Sequence, residues 1–131
     1  MQMETVLVVD DSGMARGIVK HCLKILGHQD LVFLEAGNGR EALDRLEKSV
    51  SLVITDLNMP EMGGAELLRR IKARPSTVHV PVIVVSSTIN QEQSDLLRQQ
   101  GAGAVVRKPL SPPALHRAIE DAFKETQGDA S

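Results

Sequence analysis

Tryptophan and tyrosine are missing from this chain, and its aromatic content is Phe33 and Phe123 alone. The core must therefore be built from Val, Leu and Ile. Cysteine occurs once, as Cys22, which excludes an internal disulfide and a cysteine zinc cluster. Its place on an apolar helical stripe reads as a small buried hydrophobe. Positive charge is not in excess: 15 Lys and Arg stand against 17 Asp and Glu, for a net charge of -2. That balance gives no electrostatic reason to expect nucleic acid or an acidic membrane surface as a partner. No apolar run approaches the roughly 20 residues that cross a bilayer, and the amino terminus lacks a signal-peptide pattern. The expected compartment is the cytoplasm. Internal repeats, low-complexity stretches and linkers are also missing. What is present is 42% apolar residues over 131 positions, enough for one domain with a real core and too little for two.

Short aliphatic runs alternate with helical patterns along the whole chain. The runs are Val6–Val9, Leu31–Leu34, Leu52–Ile54, Val82–Val85 and Ala104–Val106. They are β-branched and largely non-alternating, as strands covered on both faces are. After the first run, Ala15, Ile18, Val19, Cys22 and Leu26 recur at helical spacing, and Gly27 can close that helix. Ala42, Leu43 and Leu46 mark a second helix, and Leu67, Leu68 and Ile71 a third. The fourth, from Asn90 to Gln100, is the weakest, with Leu96 and Leu97 its only large apolar residues after Ile89. Leu115, Ala118, Ile119 and Ala122 mark the fifth, which Ser111 can cap ahead of Pro112 and Pro113. Five strands alternating with five helices predict a doubly wound α/β fold: a five-stranded parallel sheet, right-handed crossovers and helices on both faces. The domain is expected over residues 1–126, with 127–131 a loose polar tail.

A parallel sheet sends the carboxyl ends of all its strands to one edge, where open α/β sheets bind ligands. Asp10 and Asp11 follow the first run, Asp56 the third, Ser86 the fourth and Lys108 the fifth. Asp and Ser before a helix are ordinary capping residues when they occur alone. Three carboxylates, a hydroxyl and an ammonium at one edge are a different matter. The carboxylates repel one another unless a cation sits among them, and oxygen-only ligands favour a hard divalent ion such as Mg²⁺. Lys108 suits phosphate oxygens, and Ser86 can donate a hydrogen bond to a phosphoryl oxygen. Carboxylates form aspartyl-phosphates by nucleophilic attack. Asp56, alone on a central strand, is the natural acceptor, which leaves Asp10 and Asp11 for the metal.

VLVVDDS (residues 7–12 preceded by Val6), ITDLNMPEMGG (54–64), PVIVVSS (81–87) and VVRKPL (105–110) together resemble the receiver domain of two-component response regulators, chemotaxis-type single-domain regulators among them. NGREAL (38–43) is similar to the start of that family's second helix. The resemblance covers nearly the whole chain and implies the flavodoxin-like strand order 2-1-3-4-5. It implies that Asp56 accepts a phosphoryl group, that Asp10 and Asp11 bind Mg²⁺ with Asp56 and the backbone carbonyl of Asn58, and that Ser86 and Lys108 are the switch hydroxyl and the phosphate-sensing lysine. It also implies a cis peptide at Lys108-Pro109. The implied partners are a histidine kinase or histidine phosphotransfer protein and a downstream protein target, for a monomer or a weak phosphorylation-linked dimer. Many receivers carry Tyr or Phe three residues before the lysine; here that place holds Val105. A stand-alone receiver and the receiver part of a longer regulator both fit.

Other readings are weaker. Gly37-Asn-Gly39-Arg-Glu-Ala42 matches the G-x-G-x-x-A dinucleotide pattern, but it follows the second run and reads as a helix start. His21, His28, His79 and His116 have no metal spacing. An aspartate-nucleophile phosphatase would carry a second Asp where Asn58 stands, and a cap domain for which there is no room. A phosphorylation-independent interaction domain would have no use for so costly a set of charges.

Overall fold

The computed structural model describes residues 3–46 and 49–128. Elements follow one another as β1 (Thr5–Val9), α1 (Gly13–Ile25), β2 (Val32–Ala36), α2 (Gly39–Arg45), β3 (Leu52–Asp56), α3 (Gly64–Ala73), β4 (Val82–Ser86), α4 (Gln91–Gln99), β5 (Ala104–Arg107) and α5 (Pro112–Gly128). The strands form one parallel sheet in the order β2-β1-β3-β4-β5, as expected. Its helices cover both faces. Leu7, Val9, Val53, Val82 and Val84 point into a core with α2, α3 and α4, where Leu67, Leu68 and Ile71 meet them. Val6, Val8, Leu52, Ile54, Ile83 and Val85 point the other way, toward Leu23 on α1 and Leu115 and Ile119 on α5. Strands buried on both faces explain the unbroken aliphatic runs, and each fully buried Leu or Ile contributes about 1.5–3 kcal/mol.

The helix ends follow from local chemistry. Ser12, Asn38 and Asn90 cap α1, α2 and α4 with their side-chain oxygens, and Ser111 Oγ accepts the Ala114 N–H at the start of α5. Asn38 as a cap makes Gly37–Ala42 a helix start. Gly27 lies beyond α1 with φ +94°, a conformation glycine adopts freely. α5 runs to Gly128, past the expected boundary at 126, and 129–131 lie outside the described residues.

One strand is displaced from its expected place. β2 covers Val32–Ala36 where the aliphatic run predicts Leu31–Leu34. Its pairing with β1 carries on through Val8↔Glu35 and Val9↔Ala36. A carboxylate is tolerated there because β2 is an edge strand and Glu35 meets two cations, Arg16 at 2.9 Å and Lys20 at 3.0 Å.

Candidate functional site

The register brings the ends of β1, β3 and β4 level. Val9 lies opposite Thr55, Asp56 opposite Val85, and Ser86 opposite Arg107. Asp10 and Asp11 leave β1 just beyond Val9, Asp56 ends β3, Ser86 ends β4, and Lys108 follows β5. All five predicted side-chain positions therefore reach one edge. The turn after β3 is held close: the Gly64 N–H donates to the Leu57 carbonyl at 2.8 Å. A Cβ at Gly64 would collide with the Asp56 carbonyl oxygen. Glycine thus lets α3 start directly against the acceptor strand.

Carboxylate oxygens of Asp10, Asp11 and Asp56 lie within 4.8 Å of one another. Asp10 is buried, Asp56 half-buried and Asp11 exposed, so the cluster opens to solvent on the Asp11 side. Lys108 Nζ sits 2.9 Å from Asp10 Oδ2 and 3.4 Å from Asp56 Oδ1. The ammonium thus offsets part of the charge that the sequence assigns to a metal alone, and it serves Asp10 before Asp56. Burial and then the charge of Asp10 push the Asp56 carboxyl above the usual carboxylate range, against the pull of Lys108 and the Leu57 N–H. The longer of the two lysine contacts is consistent with that outcome. For Lys108, burial is the largest single influence and lowers its pKa. The hydrogen bond to Asp10 and the charges of both carboxylates together outweigh it, and the net shift is upward.

Ser86 is fully buried, and its Oγ accepts the Thr88 N–H at 3.3 Å. That bond leaves the hydroxyl hydrogen available for donation. Asn58 is exposed in the loop two residues past Asp56. The Lys108-Pro109 peptide is cis, as the resemblance implies. Among the described residues no histidine joins the carboxylate cluster; His21, His79 and His116 are exposed, and His116 pairs with Glu120 at 3.4 Å. A half-open, mostly apolar cavity of about 370 Å³ is lined by Val8, Ile18, Ile54, Val85 and Leu110 together with Asp10 and Asp56.

The donor set fits a hard divalent cation. It is all oxygen, carries three formal negative charges and has one open side, as Mg²⁺ requires to keep part of its water. Sequence reasoning passes over one group near the cluster. Arg16, on the second turn of α1, donates from Nη1 to the Asp10 carbonyl at 2.6 Å. In the sequence it is a lone arginine on the helix after the acidic pair, with no pattern of its own.

Comparison with known proteins adds a family to this geometry. The family profile of the response regulator receiver domain matches residues 6–120. A chemotaxis protein CheY homolog of Campylobacter jejuni subsp. jejuni is 37% identical over 127 residues, which cover 95% of this chain and 96% of that protein. Chemotaxis protein CheY of Pseudomonas aeruginosa is 34% identical over 124 residues, with 94% and 98% covered. Among solved structures, the chemotaxis response regulator CheY4 of Vibrio cholerae superposes with a TM-score of 0.79 at 29% identity, over 92% of this chain and 99% of that one.

Proposed function

The chain belongs to the response regulator receiver family, and from that premise we propose that it accepts a phosphoryl group on Asp56 from a phosphohistidine donor and thereby switches its binding to a downstream protein. The observation that carries this reading is the meeting of Asp10, Asp11, Asp56, Ser86 and Lys108 at one sheet edge. Membership as such makes the chain a signalling module of the CheY-like kind. Among the described residues, no helix is long and apolar enough to cross a membrane.

Asp10, Asp11 and Asp56, with the Asn58 carbonyl, would hold Mg²⁺, which when bound supplies positive charge against the phosphoryl oxygens. The Asp56 carboxylate attacks phosphorus, an O–P bond forms as the P–N bond of the donor breaks, and the imidazole departs with the electron pair and takes up a proton. Little beyond alignment and charge neutralisation is needed for such a transfer. Lys108, already 3.4 Å from Asp56 Oδ1, can turn its ammonium to a phosphoryl oxygen by giving up Asp10. The Ser86 hydroxyl can donate to another, which draws the start of the β4–α4 loop toward Asp56. Slow attack of water on the aspartyl-phosphate would end the signal. The chain is on this view a switch with self-phosphorylating and slow autodephosphorylating chemistry, and its partners are a histidine kinase or phosphotransfer protein and a downstream target.

Incubation with acetyl phosphate and Mg²⁺ should add one phosphoryl group in an intact-mass measurement, and Asp56→Asn should abolish it. Labelling that survives the substitution would place the acceptor elsewhere.

A further inference from the structure

Every polar atom of Asp10 has its own partner. The N–H donates to the Ala36 carbonyl at 3.0 Å, and the carbonyl accepts from Arg16 Nη1 at 2.6 Å. Oδ1 accepts from the Ser12 N–H and Oδ2 from Lys108 Nζ, both at 2.9 Å. The Arg16 and Ala36 bonds belong to one closed circuit. Arg16 Nε is held by Glu35 Oε1 at 2.9 Å, and Lys20 Nζ holds Glu35 Oε2 at 3.0 Å. Glu35 is followed by Ala36, whose carbonyl takes the Asp10 N–H. The main chain at Asp10 is thus gripped from both sides by adjacent residues of β2, on one side through a guanidinium. A planar fork serves two acceptors in a fixed geometry, whereas the three donors of an ammonium rotate.

We propose that Arg16 is a positioning residue for the acidic cluster: braced on Glu35, it fixes the main chain from which the Asp10 and Asp11 carboxylates project, and so sets the affinity of the cluster for a divalent cation. The inference rests on the cation-binding reading given above. A different role for Arg16 predicts the opposite sign. If Arg16 acted only as a nearby positive charge, removing it would make the cluster more attractive to a cation. If it only fastened α1 to β2, removing it would lower the melting temperature and leave cation affinity alone. Loss of positioning weakens binding, and partners that orient metal ligands typically control affinity by about 10–100-fold.

The test is a Mg²⁺ titration of the full chain, followed by backbone amide shifts, with amide exchange measured separately in metal-free solution. Arg16→Ala should weaken Mg²⁺ by about tenfold and speed exchange of the Asp10 amide while Leu7 is unaffected. Arg16→Lys, which keeps the charge, should still weaken binding severalfold. In a Glu35→Ala background the Arg16→Ala change should cost less, because the brace is already gone. Equal or tighter Mg²⁺ binding by Arg16→Ala overturns the proposal, as does full affinity in Arg16→Lys. A parent chain that binds no Mg²⁺ sinks the cation-binding reading instead. Unchanged Asp10 exchange in the folded Arg16→Lys and Arg16→Ala variants shows that Arg16 does not hold that main chain.

Discussion

Asp56 is where burial and charge oppose each other most directly. Its side chain is only 11% exposed, Asp10 lies close by, and the nearest ammonium favours Asp10. The folded chain consequently holds the Asp56 proton to higher pH than the unfolded chain does. A carboxyl of this kind favours folding at pH below its unfolded value, and the contribution is lost as pH rises through the raised one. At neutral pH its ionised form is a net cost. Asp56→Asn should therefore be more stable than the parent there, with the advantage fading as pH falls through the raised value and gone below the unfolded value of about 4. Urea melts of both chains across pH would measure this, and a parent as stable as the variant at neutral pH would contradict it. Asp10, Asp11, Asp56, Ser86 and Lys108 are legible in the sequence because a parallel sheet turns strand ends into a site. Arg16 and Glu35 are not. A lone arginine on a helix and a glutamate after an aliphatic run carry no pattern until β2 is known to lie beside β1.

α4 shows how an element can be well begun and loosely held. Asn90 and Gln93 form a reciprocal cap, Asn90 Oδ1 accepting from the Gln93 N–H at 2.8 Å and Gln93 Oε1 from the Asn90 N–H at 3.0 Å. Beyond it, Leu97 is the one buried residue of the helix, and Leu96 faces solvent. The cap defines where α4 starts, while few contacts fix where it lies. Such elements move at modest cost. The β4–α4 loop joins Ser86 to this helix, so a pull on the hydroxyl should be read out in α4, β5 and α5. Val105 packs partly buried against the core cluster that includes Ile89 and Leu97 and, being β-branched, has no large rotamer change to offer. Amide exchange with and without a phosphoryl mimic should differ most from Ser86 to Gln100, and Val105→Ala should barely alter that response. Change confined to α2 would sink the hypothesis. The existence of α4 is readable from the sequence, and so is its thin apolar content. The end of β2 is not, because pattern reading stops a strand at its first carboxylate and cannot see the two cations that make Glu35 acceptable.

At the scale of the whole molecule, the sheet divides the labour between its two layers. α1 and α5 close one face and α2, α3 and α4 the other. On the proposed function, a donor protein would reach Asp56 from the sheet edge where the acidic pair lies. Met14, 80% exposed on the first turn of α1, follows the acidic pair, and Ile18 one turn on is exposed and lines the apolar cavity. We expect the donor to dock there, so Met14→Glu should slow phosphotransfer from the cognate donor by about tenfold, the effect of losing roughly 1.4 kcal/mol of contact. Phosphorylation by acetyl phosphate should be untouched; an equal loss with both donors would assign the defect to the site. The same layer contains Cys22, the only sulfhydryl of the chain, shut beneath α1 with its ionisation suppressed by burial. Maleimides and iodoacetamides act on exposed thiolates, so the native molecule offers them almost no target. A cysteine introduced at Leu96 on the outward face of α4 would be the single handle for a fluorophore or spin label, and the motion of α4 could be followed without first replacing Cys22.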